Sequence, residues 1–183
     1  GNIQILEEIK QVSSEWHALR KTKITATDSC VIMGASHWKT KIQLYNEKIS
    51  NDFPICTNER MQRGLDLEPV ARDLFILNHG YICRPCVVVK DWAMASLDGM
   101  DEDGKIIVEI KCPGDKDHKQ ALSGKIPDHY YPQLQHQMYV CNVDDMYYFS
   151  FDGVDGVTVK VKRDQEYIDK MVEEEKKFYE CLT

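Results

Sequence analysis

The sequence has no hydrophobic run long enough to cross a membrane, and it has no excess of positive charge. A membrane helix needs about 20 consecutive apolar residues, and no stretch of this chain approaches that length. Residues 1–20 carry acids and lack an apolar segment, so we expect no secretory signal and no membrane partner. The composition of the 183 residues, 43% hydrophobic and 29% charged, is that of one soluble globular domain covering residues 1–183.

The chain also lacks a disulfide framework. Its seven cysteines are an odd number without framework spacing, and its six prolines and ten glycines do not suggest a disulfide scaffold. We interpret the cysteines as reduced thiols of a cytoplasmic protein, several of them buried. Cys83 and Cys86 form the one suggestive pair. A zinc or iron–sulfur site would require a second pair or histidines at matching spacing, which are not evident.

The net charge of −7 argues against a non-specific nucleic-acid binder, because such proteins are normally basic. The charges are unevenly distributed, however. Residues 164–181 contain seven acids and three lysines, a net of −4, whereas residues 20–48 contain six bases and two acids, a net of +4. The composition therefore excludes a uniformly basic surface but allows a local basic groove.

Hydrophobic periodicity predicts an α/β (α+β) domain, in which helices flank a small mixed central β-sheet. Predicted helices cover residues 3–12, 14–19, 27–33, 58–78, 115–123, 128–141 and 164–181. Thr27 and Asn58 are the expected N-caps of the third and fourth helices, and Gly80 is the expected stop of the fourth. The apolar face of that fourth helix would comprise Leu67, Val70, Ala71, Leu74 and Phe75. Predicted strands cover residues 81–90, 92–100, 105–111, 146–151 and 157–162.

Candidate catalytic residues cluster in the central hairpin of this sheet. Glu109 and Lys111 are two positions apart in a strand, so their side chains project from one face, while Ile110 faces the core. Pairing across the turn can bring Asp98 beside them. Two carboxylates and an ammonium of this kind can bind Mg²⁺ or Mn²⁺ and activate water at a phosphate. The same residues could instead form ordinary surface ion pairs, since charged hairpins often do.

Other polar residues accompany this pattern. Glu68 lies within an apolar helix face, where it is either a surface residue of an irregular turn or a further carboxylate of the site. Gln133, Gln135 and Gln137 alternate along one predicted helix. Gln133 and Gln137 share a helix face, and Gln135 lies elsewhere. These glutamines are either polar helix surface or neutral groups near a phosphate.

Five motifs occur in the order in which they stand in one known family. They are Trp16-His17-Ala18-Leu19-Arg20 with Ile24-Thr25-Ala26-Thr27, residues 64–68, Asp98-Gly99, Glu109-Ile110-Lys111-Cys112-Pro113, and Tyr130 with residues 133–135. On these motifs most of the chain resembles the phage lambda exonuclease and YqaJ-like viral recombinase family. That family is a branch of the P-D…(D/E)-x-K nuclease superfamily, so the resemblance implies a restriction-endonuclease-like core. Leu97 stands where many relatives have proline, and Thr27 where many have serine.

The resemblance implies catalytic roles at the matching positions. Asp98 and Glu109 would bind the metal together with the backbone carbonyl of Ile110. Lys111 would act on the nucleophilic water. Glu68 would be an accessory carboxylate near a second metal ion or its water. The implied cofactors are therefore two Mg²⁺ or Mn²⁺ ions.

The resemblance also implies contacts with DNA. Gln133 would touch the water shell of the metal or the scissile phosphate, with Tyr130 close by. Arg20 and Thr27 fall where the family holds the terminal 5′-phosphate, a role that suits a guanidinium and a hydroxyl beside a helix start. The other residues that could contact DNA are Gln135, Lys116 and Lys119.

The function implied by the resemblance is a 5′-to-3′ exonuclease on linear double-stranded DNA. It would release mononucleotides and leave a 3′ overhang for a single-strand annealing protein. A homotrimer, a cytoplasmic location in a bacterial host and a phage or prophage origin are implied as well. Two other functions stay open: a structure-selective or single-strand nuclease of the same fold, and a non-catalytic subunit that binds DNA ends.

Overall fold

The computed structural model describes residues 2–51 and 58–183. The strands are β1 (Ile3–Ile5), β2 (Arg84–Lys90), β3 (Ala93–Met100), β4 (Ile107–Lys111), β5 (Asp145–Phe151) and β6 (Gly156–Lys162). The helices are α1 (Ser14–Thr22), α2 (Ala26–Ile32), α3 (Lys41–Ile49), α4 (Glu59–His79), α5 (Asp115–Leu122), α6 (Tyr131–Cys141) and α7 (Gln165–Leu182), and a 3₁₀ turn (Asp128–Tyr130) precedes α6. Within the described ranges, no helix combines the length and hydrophobicity needed to span a membrane.

The strands form one mixed sheet whose spatial order follows the chain order, from β1 to β6. Neighbouring strands are antiparallel except β4 and β5, which are parallel. A parallel pair requires a crossover connection, and α5 and α6 lie in this one. The mixed sheet with flanking helices confirms the predicted fold class.

Helices cover both faces of the centre of the sheet. On one face, α6 packs Leu134 and Met138 together with Leu97 of β3. On the other face, α4 packs Phe75 together with Ile110 of β4, as predicted for Ile110. These side chains are buried, and burial of apolar surface stabilises a fold by about 25 cal/mol per Å². The strands that carry the candidate site are therefore held between two helices.

Two smaller clusters attach the remaining helices. α1 packs Trp16 against Val87 and Met94 of the sheet. α2, α3 and α7 meet in a cluster that includes Leu44 and Phe178. α2 also contacts α6, which brings the basic N-terminal helices beside the helix that carries the glutamines.

Helix boundaries follow local capping chemistry. Asn58 caps α4 by accepting a backbone N–H of its first turn, and Gly80 ends the helix in the left-handed conformation (φ 74°), both as predicted. α2 is capped by Thr25 rather than by Thr27. The Thr25 hydroxyl accepts the N–H of Asp28 at 3.1 Å, and the Asp28 carboxylate accepts the N–H of Thr25 at 2.9 Å. This reciprocal capping box satisfies two backbone donors and displaces the helix start by two residues.

Other parts of the sequence prediction are also wrong. Residues 3–12, predicted as a helix, contain β1, because Ile3 and Ile5 pair with β2. Tertiary pairing here overrides the local periodicity. The prediction omits α3, although Thr40 starts it with a capping box. Val70, predicted on the apolar face of α4, is 54% exposed.

Candidate functional site

Backbone pairing between β3 and β4 ends at Asp98. Gly99 and Met100 of β3 pair with Val108 and Ile107 of β4, and at the next position the Asp98 side chain, rather than its backbone, bonds to β4. Its Oδ2 accepts the backbone N–H of Ile110 at 2.7 Å. The Asp98 carboxylate is thereby fixed at the point where the two buried strands separate.

Gly99 allows β3 to bring Asp98 to this point, because no side chain would fit at residue 99. A Cβ at residue 99 would lie 2.7 Å from Cγ1 of Val108 and 2.8 Å from Cβ of Cys83. Carbon atoms in van der Waals contact need about 3.5–4.0 Å. A larger residue would push β3 away from its neighbours and displace Asp98 with it.

Glu109 lies on the same face and binds polar groups through both of its carboxylate oxygens. Its Oε2 is 3.5 Å from Nζ of Lys111 and accepts a hydrogen bond from Nε2 of Gln133 at 3.3 Å. Its Oε1 accepts a hydrogen bond from Nε2 of Gln137 at 2.9 Å. Two glutamines one helical turn apart on α6 therefore hold the two oxygens of one carboxylate.

Glu68 reaches the site from α4 with the help of an arginine. Nη2 of Arg72 donates to Oε2 of Glu68 at 2.6 Å, and Nε of Arg72 donates to the backbone carbonyl of Asp98 at 2.7 Å. One guanidinium thus links α4 to the end of β3. The structure places Glu68 beside the carboxyl of Asp98 rather than on an irregular surface turn.

The site gathers more negative than positive charge. Burial raises the pKa of the Asp98 carboxyl well above its usual range, and the carboxylates of Glu109 and Glu68 raise it further. Burial alone would lower the pKa of Lys111, but the neighbouring carboxylates of Glu109 and Asp98 help to raise it above its ordinary value. Lys111 and Arg72 accompany the three carboxylates, which leaves negative charge that a cation would offset.

The donor set fits a hard divalent cation. Mg²⁺ in proteins is usually bound by one or two carboxylates and keeps several waters, and Asp98 and Glu109 supply two carboxylates on one surface. Across residues 2–51 and 58–183, no group of three or more histidine, cysteine, aspartate or glutamate side chains is arranged to hold a metal ion. A cation held by only these two carboxylates would keep coordination positions open for oxygens of water or substrate.

A cavity of about 360 Å³ adjoins the acidic site. It brings together five of the residues predicted from the sequence, which are Arg20, Thr27, Lys111, Tyr130 and Gln133. Nη2 of Arg20 donates to the Thr27 hydroxyl at 3.3 Å, and the guanidinium lies 4.5 Å from the centre of the Trp16 ring. Nζ of Lys111 lies 4.7 Å from the centre of the Tyr130 ring. The predicted phosphate-binding pair and the predicted catalytic lysine share one cavity.

The same cavity contains a buried ion pair that the sequence analysis missed. Nζ of Lys48 lies 2.7 Å from Oδ2 of Asp28, with both side chains almost fully buried. Lys48 also donates to the backbone carbonyls of Arg20 and Lys23, at 2.6 and 2.7 Å. Burial by itself would raise the pKa of Asp28, but Lys48 and Arg20 bring it below its ordinary value. The pair holds the backbone that carries Arg20.

Three residues predicted as possible DNA contacts lie outside this cavity. Gln135 is fully buried; its Nε2 donates to the carbonyl of Lys162 at 3.0 Å, and its Oε1 accepts the N–H of Asp164 at 2.9 Å. Its amide joins α6 to the start of α7, so the prediction of a DNA contact at Gln135 is wrong. Lys116 and Lys119 are exposed on α5 and are not among the residues that line the cavity.

Gln137 and Arg72 are the residues of the acidic site that sequence reasoning did not assign. The Gln137 side chain is fully buried, and its Oε1 has no hydrogen-bond partner among the described residues. The hydrogen bond from Nε2 to Glu109 is therefore the one polar contact recorded for the Gln137 amide among the described residues. Gln137 could have been assigned because it shares a helix face with Gln133. No feature of the sequence pointed to Arg72.

Comparison with known proteins gives one family and several related structures. The model of the YqaJ-like viral recombinase domain matches residues 15–144. The uncharacterized protein YqaJ of Bacillus subtilis (strain 168) is 26% identical over 187 aligned residues, which cover 96% of this chain and 58% of that protein. The chain thus spans less than two thirds of the length of this relative.

Among solved structures, the alkaline exonuclease LHK-Exo of Laribacter hongkongensis is similar with a TM-score of 0.80 and 26% identity, over 93% of this chain and 92% of that one. Its complex with dAMP matches equally well. A phage-related exonuclease of Haemophilus somnus 129PT has a TM-score of 0.64 at 18% identity, over 87% and 94% of the two chains, and shares the fold.

Proposed function

The chain belongs to the YqaJ-like viral recombinase domain family, and on this premise we propose that it is a metal-dependent deoxyribonuclease that digests DNA from its ends. The observation that carries the proposal is the position of Lys111, which touches Glu109 of the acidic site and also lines the basic cavity. A phosphate chain entering past Arg20 would reach the carboxylates at this point. The similarity to the Laribacter exonuclease supports the same activity.

Asp98 and Glu109 would hold a Mg²⁺ or Mn²⁺ ion with the backbone carbonyl of Ile110, and Glu68 would serve a second ion or its water. Such ions supply an activated water and stabilise negative charge on the leaving oxygen. The protein contributes fixed geometry. Gln137 holds Oε1 of Glu109, so that Oε2 is the oxygen next to the cavity-lining residues.

Lys111 and Gln133 act on the substrate side of the site. The ammonium of Lys111 would orient the attacking water and offset charge on the phosphate in the transition state. The amide of Gln133 would donate to a phosphate oxygen or to the water shell of the metal. Tyr130 keeps the lysine in place through its ring, because a cation over an aromatic face is stabilised electrostatically.

Arg20 and Thr27 define the proposed direction of digestion. A guanidinium can bind phosphate through two parallel hydrogen bonds, and Thr27 lies in the first turn of α2, where negative charge is favoured. With a terminal 5′-phosphate held there, the enzyme would proceed from 5′ to 3′ on linear duplex DNA and release mononucleotides. The remaining 3′ overhang would pass to a single-strand annealing protein. We propose a homotrimer as the assembly that encloses the DNA.

One assay tests the activity. Linear duplex with a 5′-phosphate, the same duplex without it, and closed circular DNA are incubated with Mg²⁺ and the wild-type protein, Glu109→Ala or Lys111→Ala. We expect fastest digestion of the phosphorylated duplex, intact circles, and almost no digestion by either variant. Equal cutting of circles would exclude an exonuclease. Wild-type activity of Glu109→Ala would exclude the proposed site.

A second assay tests the 5′-phosphate contact separately. Arg20→Ala should digest phosphorylated and unphosphorylated duplex at similar rates while binding of Mn²⁺ is unchanged. Lys41→Ala is the matched control, because that lysine is exposed on α3 and does not line the cavity, and it should retain the preference. A preference that persists in Arg20→Ala would contradict the assignment.

A further inference from the structure

Trp38 differs from the other two tryptophans in having an open ring. Trp16 donates from Nε1 to the Ser96 hydroxyl at 2.8 Å, and Trp92 stacks on Tyr179 with ring centres 6.0 Å apart. Trp38 is 69% exposed and nevertheless lines the cavity. Single exposed hydrophobic residues are common, so the exposure matters here because of what lies next to the indole.

An aromatic row connects Trp38 to the proposed catalytic lysine. The rings of Trp38 and His129 meet edge to face, with centres 6.4 Å apart, and the centres of the His129 and Tyr130 rings are 4.1 Å apart. The Tyr130 ring in turn carries the ammonium of Lys111 at 4.7 Å. All four residues line the same cavity. The row therefore runs from the exposed indole to the acidic site.

The rest of the cavity wall has a different chemistry. Arg20, Lys21, Lys39 and Lys48 contribute cationic groups to it, and the carboxylates of Asp28 and Glu47, which also line it, pair with Lys48 and Lys39. Arg20 has the neutral hydroxyl of Thr27 beside it. A purely apolar ligand would gain nothing from these cations, and inorganic phosphate would gain nothing from an open indole. A nucleotide has both a charged phosphate and a flat base. A cavity of about 360 Å³ lies within the range of small-molecule sites, about 300–1,000 Å³.

We infer that Trp38 is a stacking platform for the nucleobase of a nucleotide whose phosphate is held by the cationic side of the cavity. The inference rests on the proposed function in taking DNA as the source of that nucleotide. Every base has a π-face, so such a platform is tolerant of sequence. Trp38 would add affinity for the terminal nucleotide without selecting among the four bases.

Calorimetric titration in EDTA tests the contact apart from catalysis. The ligands are dAMP, deoxyribose 5-phosphate and inorganic phosphate, and the proteins are wild type, Trp38→Ala and Trp38→Phe. Stacking on an aromatic side chain contributes about 1–3 kcal/mol per base, so we expect wild type to bind dAMP at least about fivefold more tightly than deoxyribose 5-phosphate. Trp38→Ala should bind both equally, and Trp38→Phe should keep most of the preference.

Ile42→Ala is the matched control, because Ile42 is an exposed apolar residue of α3 that does not line the cavity. It should behave as wild type. Equal affinity of the wild-type protein for dAMP and deoxyribose 5-phosphate, absence of binding of both, or an unchanged dAMP preference in Trp38→Ala would each overturn the inference.

The source of the nucleotide is distinguished with DNA. A 5′-phosphorylated oligonucleotide is compared with one whose 5′-terminal residue is abasic; a Trp38-dependent difference supports the terminal nucleotide of a strand as the ligand. Loss of the base effect with normal digestion of duplex DNA would remove the inference and leave the proposed function standing. A Trp38-dependent base effect in a protein that digests no DNA would support the stacking platform and exclude the proposed function.

Discussion

Asp28 and Asp98 are both buried aspartates, but the charged groups nearest to them have opposite signs. Asp28 lies 2.7 Å from Lys48, and its carboxylate accepts the backbone N–H of Thr25 within the capping box; its pKa is below the ordinary value. Asp98 lies among carboxylates, and burial together with Glu109 and Glu68 holds its pKa well above the usual range. The first aspartate has its counter-charge inside the protein, whereas the second has acids as neighbours.

Burial of an acid therefore does not by itself indicate function. A buried ion pair with complete hydrogen bonding is a structural element whose partners depend on each other. A buried group of acids without sufficient counter-charge costs stability and is typical of a site that takes up a cation or a proton.

Asp98→Asn should separate activity from stability. We expect nuclease activity to fall by about a thousandfold or more, because the charge that would hold the cation is lost. The free energy of unfolding in EDTA should equal or exceed that of wild type, since repulsion with Glu109 and Glu68 is relieved and the amide oxygen can still accept the N–H of Ile110. Activity assays and urea unfolding measure the two quantities. A clear loss of stability would contradict the contrast with Asp28.

Asp28→Asn should, in contrast, act mainly on stability. Removing one partner of a buried ion pair costs about 3–5 kcal/mol, so we expect a large decrease in the free energy of unfolding, and a similar decrease for Lys48→Met. The double variant should be more stable than either single variant, because no buried charge is left unpaired. Additive losses in the double variant, measured by urea unfolding, would show that the two residues act independently.

Gln137→Met should weaken the acidic site without unfolding the protein. Loss of a residue that orients a metal ligand typically costs about 10–100-fold in metal affinity or activity. We expect a decrease of this size in kcat and in the affinity for Mn²⁺ measured by calorimetry, with little change in KM for DNA. Gln135→Met on the same helix is the control, which should lose stability and keep its Mn²⁺ affinity. Unchanged Mn²⁺ affinity in Gln137→Met would show that Glu109 needs no such support.

The pH dependence of stability should report Asp28. Because its pKa is lowered in the folded protein, its contribution to stability is present above the ordinary aspartate pKa of about 4 and is lost as the pH falls through the lowered folded value. The difference in unfolding free energy between wild type and Asp28→Asn should therefore shrink below about pH 4. Urea unfolding at a series of pH values measures it, and a difference that stays constant down to pH 2 would refute the assignment.

The sequence predicted that Asp98, Glu109 and Lys111 come together in one hairpin, because the signals for this hairpin are local. Glu109 and Lys111 share a face through the alternation of one strand, and Asp98 precedes a short turn. α4 was predicted with its cap and its stop, because Asn58 and Gly80 act on their own neighbours in the chain. Residues 3–12 failed as a helix because their strand forms only against β2, about 80 residues away.

The glutamines of α6 show the limit of sequence reasoning more sharply. Gln135 and Gln137 are two positions apart and have the same side chain, yet one joins α6 to the start of α7 and the other holds Glu109. Helical periodicity separates their faces, but it does not say which face meets the carboxylates. Lys48 was likewise unassignable, because its partner Asp28 lies on another helix.

By itself, the sequence determined the order of most helices and strands, the family resemblance, and the residues Asp98, Glu109 and Lys111 as one constellation, because these depend on spacing within short segments. The tertiary structure alone decided which polar residues meet. It placed Glu68 beside Asp98 through Arg72, set Gln137 against Glu109, and excluded Gln135 from the cavity. Contacts between distant segments depend on how the helices pack on the sheet, and burial then determines whether each charge finds a partner inside the protein or takes one from solution.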